Sequence, residues 1–270
     1  MKTIFITGAS AGLGKATAQL FQSKGWSVIA TMRNPEKETE LNLLPNVTLL
    51  PLDVTNPDQI WSTAQKAIAL GNIDVAFNNA GYGLFGALEA CTDDQITDQI
   101  ATNLTGVLRV TQAFIPHFRE KKSGLFITTT SVCGLTSNPL SSVYNATKWA
   151  LEGWSESIAY ELAPFNIGIK TVAPGGIKSK FMQGMKSAGH SAYEPLAQKL
   201  NEVFSNGLLI FTEPEIIAQS VYEAATDGKD QLTYVAGIDA ISLIAKRQAE
   251  GADAFRIGMT KLFEPETATV

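Results

Sequence analysis

The first two dozen residues constrain this fold more than any other stretch of the chain. Thr3–Thr7 is a short apolar run that breaks directly into Gly8-Ala9-Ser10-Ala11-Gly12-Leu13-Gly14, after which Ala16, Leu20 and Phe21 share one face at helical spacing. A strand, a glycine loop and a helix in that order suit a phosphate group. Glycines let the backbone turn tightly and approach it, and the helix N-terminus offers free N–H groups and a positive dipole end. The loop is not G-x-G-x-x-G, since Thr17 stands where a third glycine would be. A glycine-rich turn holding no ligand is the plain alternative, but the strand–loop–helix setting favours a nucleotide.

Further apolar runs continue the pattern. Strands are expected over Ser27–Met32, Val47–Val54, Ile73–Asn78, Gly124–Ser131 and Ile167–Ala173, with a short one near Leu232–Val235. Several are continuously apolar, which marks parallel strands covered on both faces. Helical patterns lie between them: Gly14 to Lys24, and Asn56 to Leu70, which opens on Asn-Pro-Asp, a cap followed by Pro in the first turn. Alternating β and α elements imply an α/β, doubly wound parallel sheet with right-handed crossovers. No linker or charge block divides the chain, so residues 1–270 read as one Rossmann-like domain. Residues 178–210 break the alternation with scattered Phe181, Met182, Met185, Phe204 and Leu208, and form a candidate lid over a substrate. A helix follows from Glu213 to Thr226.

Composition narrows the function. Charged residues are 17% and hydrophobic residues 45%, too few charges and too many apolar groups for disorder. A net charge of −5 argues against nucleic acid or an anionic membrane as partner. Cys91 and Cys133 are too few and too far apart for a disulfide scaffold or zinc ribbon, and with two histidines no metal site is expected. The opening apolar run is too short for a signal peptide and no run approaches a membrane span, so a reduced, cytoplasmic location is expected.

Two constellations carry chemistry. The second strand ends Thr31-Met32-Arg33, with Thr31 read as the residue standing where an acid would bind the ribose 2′-OH of NAD. Arg33 fits a 2′-phosphate, so NADP(H) is favoured over NAD(H); a solvated surface charge is the alternative. The other constellation is Ser131, Tyr144 and Lys148. Tyr-x-x-x-Lys puts both side chains on one helical face. Roughly 0.4 such pairs are expected by chance, and roughly 0.02 when a serine thirteen residues upstream is also required. Ser131 falls at the C-terminal end of an expected parallel strand, where open α/β sheets bind ligands.

Together these residues resemble the short-chain dehydrogenase/reductase family, whose glycine motif matches Thr7–Gly14. Asp53-Val54 matches the pair that contacts adenine, Asn78-Asn79-Ala80-Gly81 the N-N-A-G motif, and Asn103 with Gly106 the asparagine of the catalytic helix. Pro174-Gly175 matches the turn after the sixth strand, and Ser179 replaces the more common Thr that bonds the nicotinamide carboxamide. The resemblance implies catalytic residues Asn103, Ser131, Tyr144 and Lys148. It implies a cofactor set of Gly8, Ser10, Gly12, Leu13, Gly14, Arg33, Asp53, Val54, Asn79, Ala80, Gly81, Tyr144, Lys148, Pro174, Gly175, Ile177 and Ser179. Lys148 and the oxidised ring would favour a Tyr144 phenolate, Ser131 would hold the substrate oxygen, and Asn103 would position a water of a proton relay. A homodimer or homotetramer is implied.

The expected substrate is a lipophilic ketone, aldehyde or secondary alcohol, since Leu84, Phe85, Leu140, Val143, Phe181 and Met182 are the residues expected at the site and no Arg lies near them. Lys178 and Lys180 face either way on this reading, and Lys15 is a second cation near the glycine loop. His117, Trp149 and Trp154 read as structural, and Cys133 as a small filler lining the pocket. A rival is a non-catalytic, nucleotide-sensing protein on the same fold, which would be expected to lose Tyr144 or Lys148. A sugar-nucleotide epimerase or dehydratase would need a longer C-terminal region.

Overall fold

The computed structural model describes residues 1–265 other than 180 and 182, so the expectations for Lys180 and Met182 lie outside the described residues. Its central sheet has seven strands, all parallel. In chain order the elements are β1 (Thr3–Thr7), α1 (Gly12–Ser23), β2 (Ser27–Met32), β3 (Val47–Pro51), α2 (Pro57–Leu70), β4 (Val75–Asn78), β5 (Leu84–Gly86), α3 (Asp93–Ile100) and α4 (Gly106–Lys121). Then come β6 (Gly124–Thr129), α5 (Ser142–Leu162), β7 (Ile167–Pro174), β8 (Lys186–Ala188), α6 (Glu194–Val203), α7 (Pro214–Thr226), β9 (Thr233–Ala236), α8 (Ile238–Glu250) and α9 (Ala252–Leu262). The sheet order is β3-β2-β1-β4-β6-β7-β9, so the order reverses between β1 and β4. This is the Rossmann-like sheet expected from the sequence.

The continuous apolar runs follow from burial on both faces. In β1, Ile4 and Ile6 enter the core beneath α1 and α7, with Phe21, Trp26 and Val221. Phe5, between them, enters the opposite core with Phe114, Phe118 and Phe126 beneath α2, α4 and α5. Strand periodicity of two sends neighbours to opposite faces, and here both faces are dry. Phe5–Phe114 and Phe118–Phe126 ring centroids lie 4.7 and 4.8 Å apart. Helix α2 starts as read: Asn56 Oδ1 accepts from Gln59 N at 3.0 Å and Pro57 is the first helical residue.

Expected strands ran too far at the ends that matter. β3 stops at Pro51 rather than Val54, and β6 at Thr129 rather than Ser131. Asp53, Val54 and Ser131 therefore stand outside the ladder, in loops at the C-terminal edge. Within the 178–210 stretch, β8 pairs in parallel with β5 as a separate two-stranded sheet. Leu200 and Val203 of α6 form a third core with Ala87, Leu140, Phe255, Met259 and Phe263.

The far edge of the sheet is tied by charge. Lys170 Nζ bonds Asp227 Oδ1 (2.9 Å) and the Tyr234 hydroxyl (3.0 Å), which donates to Asp227 Oδ2 at 2.7 Å. These bonds outweigh burial and hold the Asp227 carboxyl well below the usual range. A carboxyl depressed on folding stabilises the fold above its unfolded pKa of about 3.9, and that contribution is lost as pH falls. Asp227→Asn is therefore expected to lower the urea midpoint at pH 7. Its deficit against the parent should shrink as both are titrated below about pH 4; a deficit independent of pH would show that the charge contributes nothing.

Candidate active site

The site is built where the strand order reverses, at the C-terminal ends of β1, β4, β6 and β7. The glycine loop needs its glycines for packing as well as for conformation. Gly8 and Gly12 have φ of +69° and +54°. A Cβ on Gly8 would lie 2.8 Å from Ala80 Cα, and one on Gly14 would run into the Gly8 carbonyl. Asn79 latches this loop: its Nδ2 donates to Thr7 O (3.2 Å) and Gly8 O (3.1 Å), and its N donates to Thr7 Oγ1 at 2.9 Å. On its other side Asn79 Oδ1 accepts from Thr129 Oγ1 at 3.2 Å, joining β6 to the loop. Helix α1 begins at Gly12 with no side-chain cap, because Ala11 has no group to accept its N–H donors. Ser10 is exposed beside it, and Leu13 is buried.

A Cβ on Gly12 would lie 3.2 Å from Ser179 Cβ, so the glycine loop meets the segment after β7. Ile177 bridges Thr212 and keeps that segment beside the sheet. Asp53 Oδ1 accepts from Thr55 N (2.9 Å) and Thr55 Oγ1 (2.7 Å), bonds that lower its carboxyl against the upward push of burial, with help from Arg33. Val54 packs against Gly106, where a Cβ would lie 2.8 Å from Val54 O. An uncapped helix N-terminus facing a cradle that side chains would fill fits a dinucleotide phosphate.

Thr31 does not take the place read for it. It is wholly buried and its Oγ1 donates to Ile6 O at 2.9 Å, because its position on β2 points into the sheet. Arg33, past the strand end, is exposed. Lys15 is paired with Glu38 (3.1 Å) and Glu40 (2.8 Å), and so is already neutralised.

Ser131, Tyr144 and Lys148 come together at the ends of β6 and α5. Lys148 Nζ donates to Thr129 O at 2.8 Å and lies 5.7 Å from the Tyr144 ring centroid. Burial pushes the Tyr144 hydroxyl up from its ordinary value, and the neighbouring Ser131 hydroxyl works against that rise. Burial also pushes Lys148 down to about 8, opposed by the charge of Glu152 one turn along α5. Burial is thus the leading influence on both groups. Asn103 sits in a π-turn, Ala101–Thr105, a local widening common at functional sites. Its Oδ1 accepts from Tyr82 N (3.0 Å) and its Nδ2 donates to Tyr82 O (2.9 Å), clamping the turn after Gly81.

The plainer expectations are also resolved. His117 Nε2 accepts from Ile73 N at 3.2 Å, a structural bond. Burial pushes the Cys133 thiol up to about 11, which disfavours the reactive thiolate. Trp154 packs against the second core, whereas Trp149 is 39% exposed and donates from Nε1 to Thr136 O at 3.0 Å. Lys178 is exposed and paired with Glu213 at 2.7 Å. Phe181 lies 6.2 Å from Tyr144 between ring centroids. Leu84 and Val143 are buried, and Leu140 belongs to the third core. The sequence reading missed three residues here: Glu152, Asp239 and Asn138, whose Oδ1 lies 3.1 Å from Cys133 Sγ. Glu152 could have been found by its spacing, four residues after Lys148 on one helical face, whereas Asp239 and Asn138 carry no such signal.

The short chain dehydrogenase family profile matches residues 2–189. An uncharacterized oxidoreductase of Schizosaccharomyces pombe is 37% identical over 218 residues, 80% of this chain and 92% of that protein. A short-chain dehydrogenase from Streptomyces avermitilis superposes with a TM-score of 0.84 at 31% identity, covering 96% of this chain and 95% of that one. An alcohol dehydrogenase from Thermococcus sibiricus, complexed with 5-hydroxy-NADP, has a TM-score of 0.70 at 25% identity over 87% of this chain and 94% of its own. With the fold, the glycine cradle and the matched sequence in agreement, the chain belongs to the short chain dehydrogenase family of oxidoreductases.

Proposed function

We propose that this oxidoreductase uses NADP(H) to interconvert a lipophilic ketone or aldehyde and the corresponding alcohol, with Tyr144 as general acid and base. The observation that carries the reading is the gathering of Ser131, Tyr144 and Lys148 between the end of β6 and the first turns of α5. When bound, the nicotinamide supplies or accepts the hydride. Tyr144 gives its hydroxyl proton to the carbonyl oxygen in reduction and takes it back in oxidation. Ser131 donates a hydrogen bond to the same oxygen and holds it near Tyr144. Lys148, anchored on Thr129 O, keeps a positive charge beside the tyrosine, and Asn103 steadies the neighbouring turn. The segment 178–210 acts as the substrate lid within a single domain, with Phe181 as its apolar contact to the site. The relative complexed with 5-hydroxy-NADP supports a nicotinamide coenzyme. A cytoplasmic homodimer or homotetramer completes the proposal; no described helix is long and apolar enough to cross a membrane.

The direct test is coenzyme oxidation with a panel of carbonyl compounds, in which apolar ketones and aldehydes are expected to turn over and phosphorylated or carboxylate ones are not. The reverse selectivity would refute the substrate class. Coenzyme choice rests on Arg33, an exposed guanidinium just past the end of β2. A charge-assisted pair contributes about 1.5–3 kcal/mol, on the order of ten- to a hundredfold. Arg33→Ala should reduce kcat/KM with NADPH by that factor and leave NADH little changed. Unaltered selectivity would remove Arg33 from the site. Because Thr31 is turned into the sheet, Thr31→Asp is expected to damage the fold instead of admitting NADH.

A further inference from the structure

A buried carboxylate stands behind the turn that follows β7. Asp239, in the first turn of α8, is 7% exposed. Its Oδ2 accepts from Gly176 N at 2.7 Å, and its Oδ1 has no hydrogen-bond partner among the described residues. Two glycines make room for it. A Cβ on Gly175 would collide with Oδ1, and one on Gly237, whose φ is +98°, would lie 3.0 Å from it. The α8 dipole offsets part of the penalty of burying this charge. A carboxylate oxygen left without a donor is still costly, and such a group is commonly retained for a role beyond stability.

The charge is placed where it has an electrostatic partner. Gly175 and Gly176 follow β7, which neighbours β6, the strand leading to Ser131. The Asp239 charge is felt at Cys133, two residues from Ser131, where it adds to the effect of burial. The family resemblance assigns Pro174, Gly175 and Ile177 to the coenzyme and Ser179 to its nicotinamide carboxamide, so the ring is expected beside this turn. The ring is cationic when oxidised and neutral when reduced. A fixed negative charge in a site of low dielectric favours the cation and is indifferent to the neutral ring.

We propose that Asp239 is a positioning residue that braces the Gly175-Gly176 turn and, by its charge, tilts the site toward the oxidised coenzyme. This rests on the nicotinamide reading of the preceding section. Asp239→Asn keeps an oxygen for Gly176 N and removes the charge; Asp239→Ser removes the charge with a smaller side chain.

The test is equilibrium titration of the full-length protein with NADP+, followed by quenching of tryptophan fluorescence, and with NADPH, followed by its own emission. Both variants are expected to weaken NADP+ binding relative to NADPH by about tenfold, with NADPH affinity held or improved. Circular dichroism identifies any variant that does not fold, and the other then decides. Equal weakening of both forms, or an unchanged ratio, overturns the proposal and leaves a bracing role only. A parent chain that binds neither NADP(H) nor NAD(H) overturns instead the nicotinamide reading beneath it.

Discussion

Tyr144→Phe is expected to lower kcat roughly a hundred- to ten-thousandfold while coenzyme affinity stays close to that of the parent. The substitution deletes one oxygen and leaves the ring in its place against Phe181, so packing is preserved. It removes the only atom on this side chain able to carry the proton. The large effect follows because the deleted hydroxyl carries the proton that the reaction must transfer. Single-turnover measurement with bound coenzyme separates chemistry from binding. If the variant turned over near the parent rate, Tyr144 would not be the acid and base.

Lys148→Met is expected to lose activity and gain stability at once. Burial pushes the lysine down to about 8, so at pH 7 the fold carries a buried ammonium held by the Thr129 carbonyl. Removing the charge is expected to lower kcat/KM on the order of a hundredfold, because the Tyr144 phenolate loses its neighbouring cation. Met fills much of the same volume without the desolvation penalty, which is the usual trade between stability and function. The direction of the pH dependence follows from the lowered pKa. Between about 8 and the unfolded value near 10.4, the unfolded chain binds more protons than the native one, so parent stability rises with pH. The stability advantage of Lys148→Met over the parent should therefore be largest below pH 8 and decline above it. Urea midpoints at pH 7 and pH 9.5 check this; a variant less stable than the parent at pH 7 would show that the Thr129 bond outweighs desolvation.

Much of the scaffold was legible because its signals are local. Thr3–Thr7 and Ser27–Met32 are strands with the bounds read from the sequence, since each is an apolar run ended by Gly8 or by Arg33. The strand ends beyond Pro51 and Thr129 were misplaced because Leu52, Val54 and Thr130 are apolar or β-branched after the ladder has stopped. The pairing of Lys186–Ala188 with Leu84–Gly86 was invisible, since neither three-residue segment has a periodicity to read and their contact spans about a hundred residues. Thr31 shows a different limit: its place reads as the ribose-facing position where NAD enzymes carry an acid, and strand alternation turns its side chain inward to Ile6.

The sequence by itself determined the alternation of elements, the parallel doubly wound sheet, the glycine cradle and the Ser131, Tyr144 and Lys148 set, because short-range spacing and hydrophobic pattern encode them. Only the tertiary structure decided which groups modify that set. Thr129 offers its carbonyl to Lys148 across 19 residues, and Asp239 reaches Gly176 across 63. Burial, which no spacing reports, raises the tyrosine and lowers the lysine. A residue's type and its neighbours along the chain fix what it is able to donate or accept. Its charge state and partners depend on what the rest of the fold packs around it.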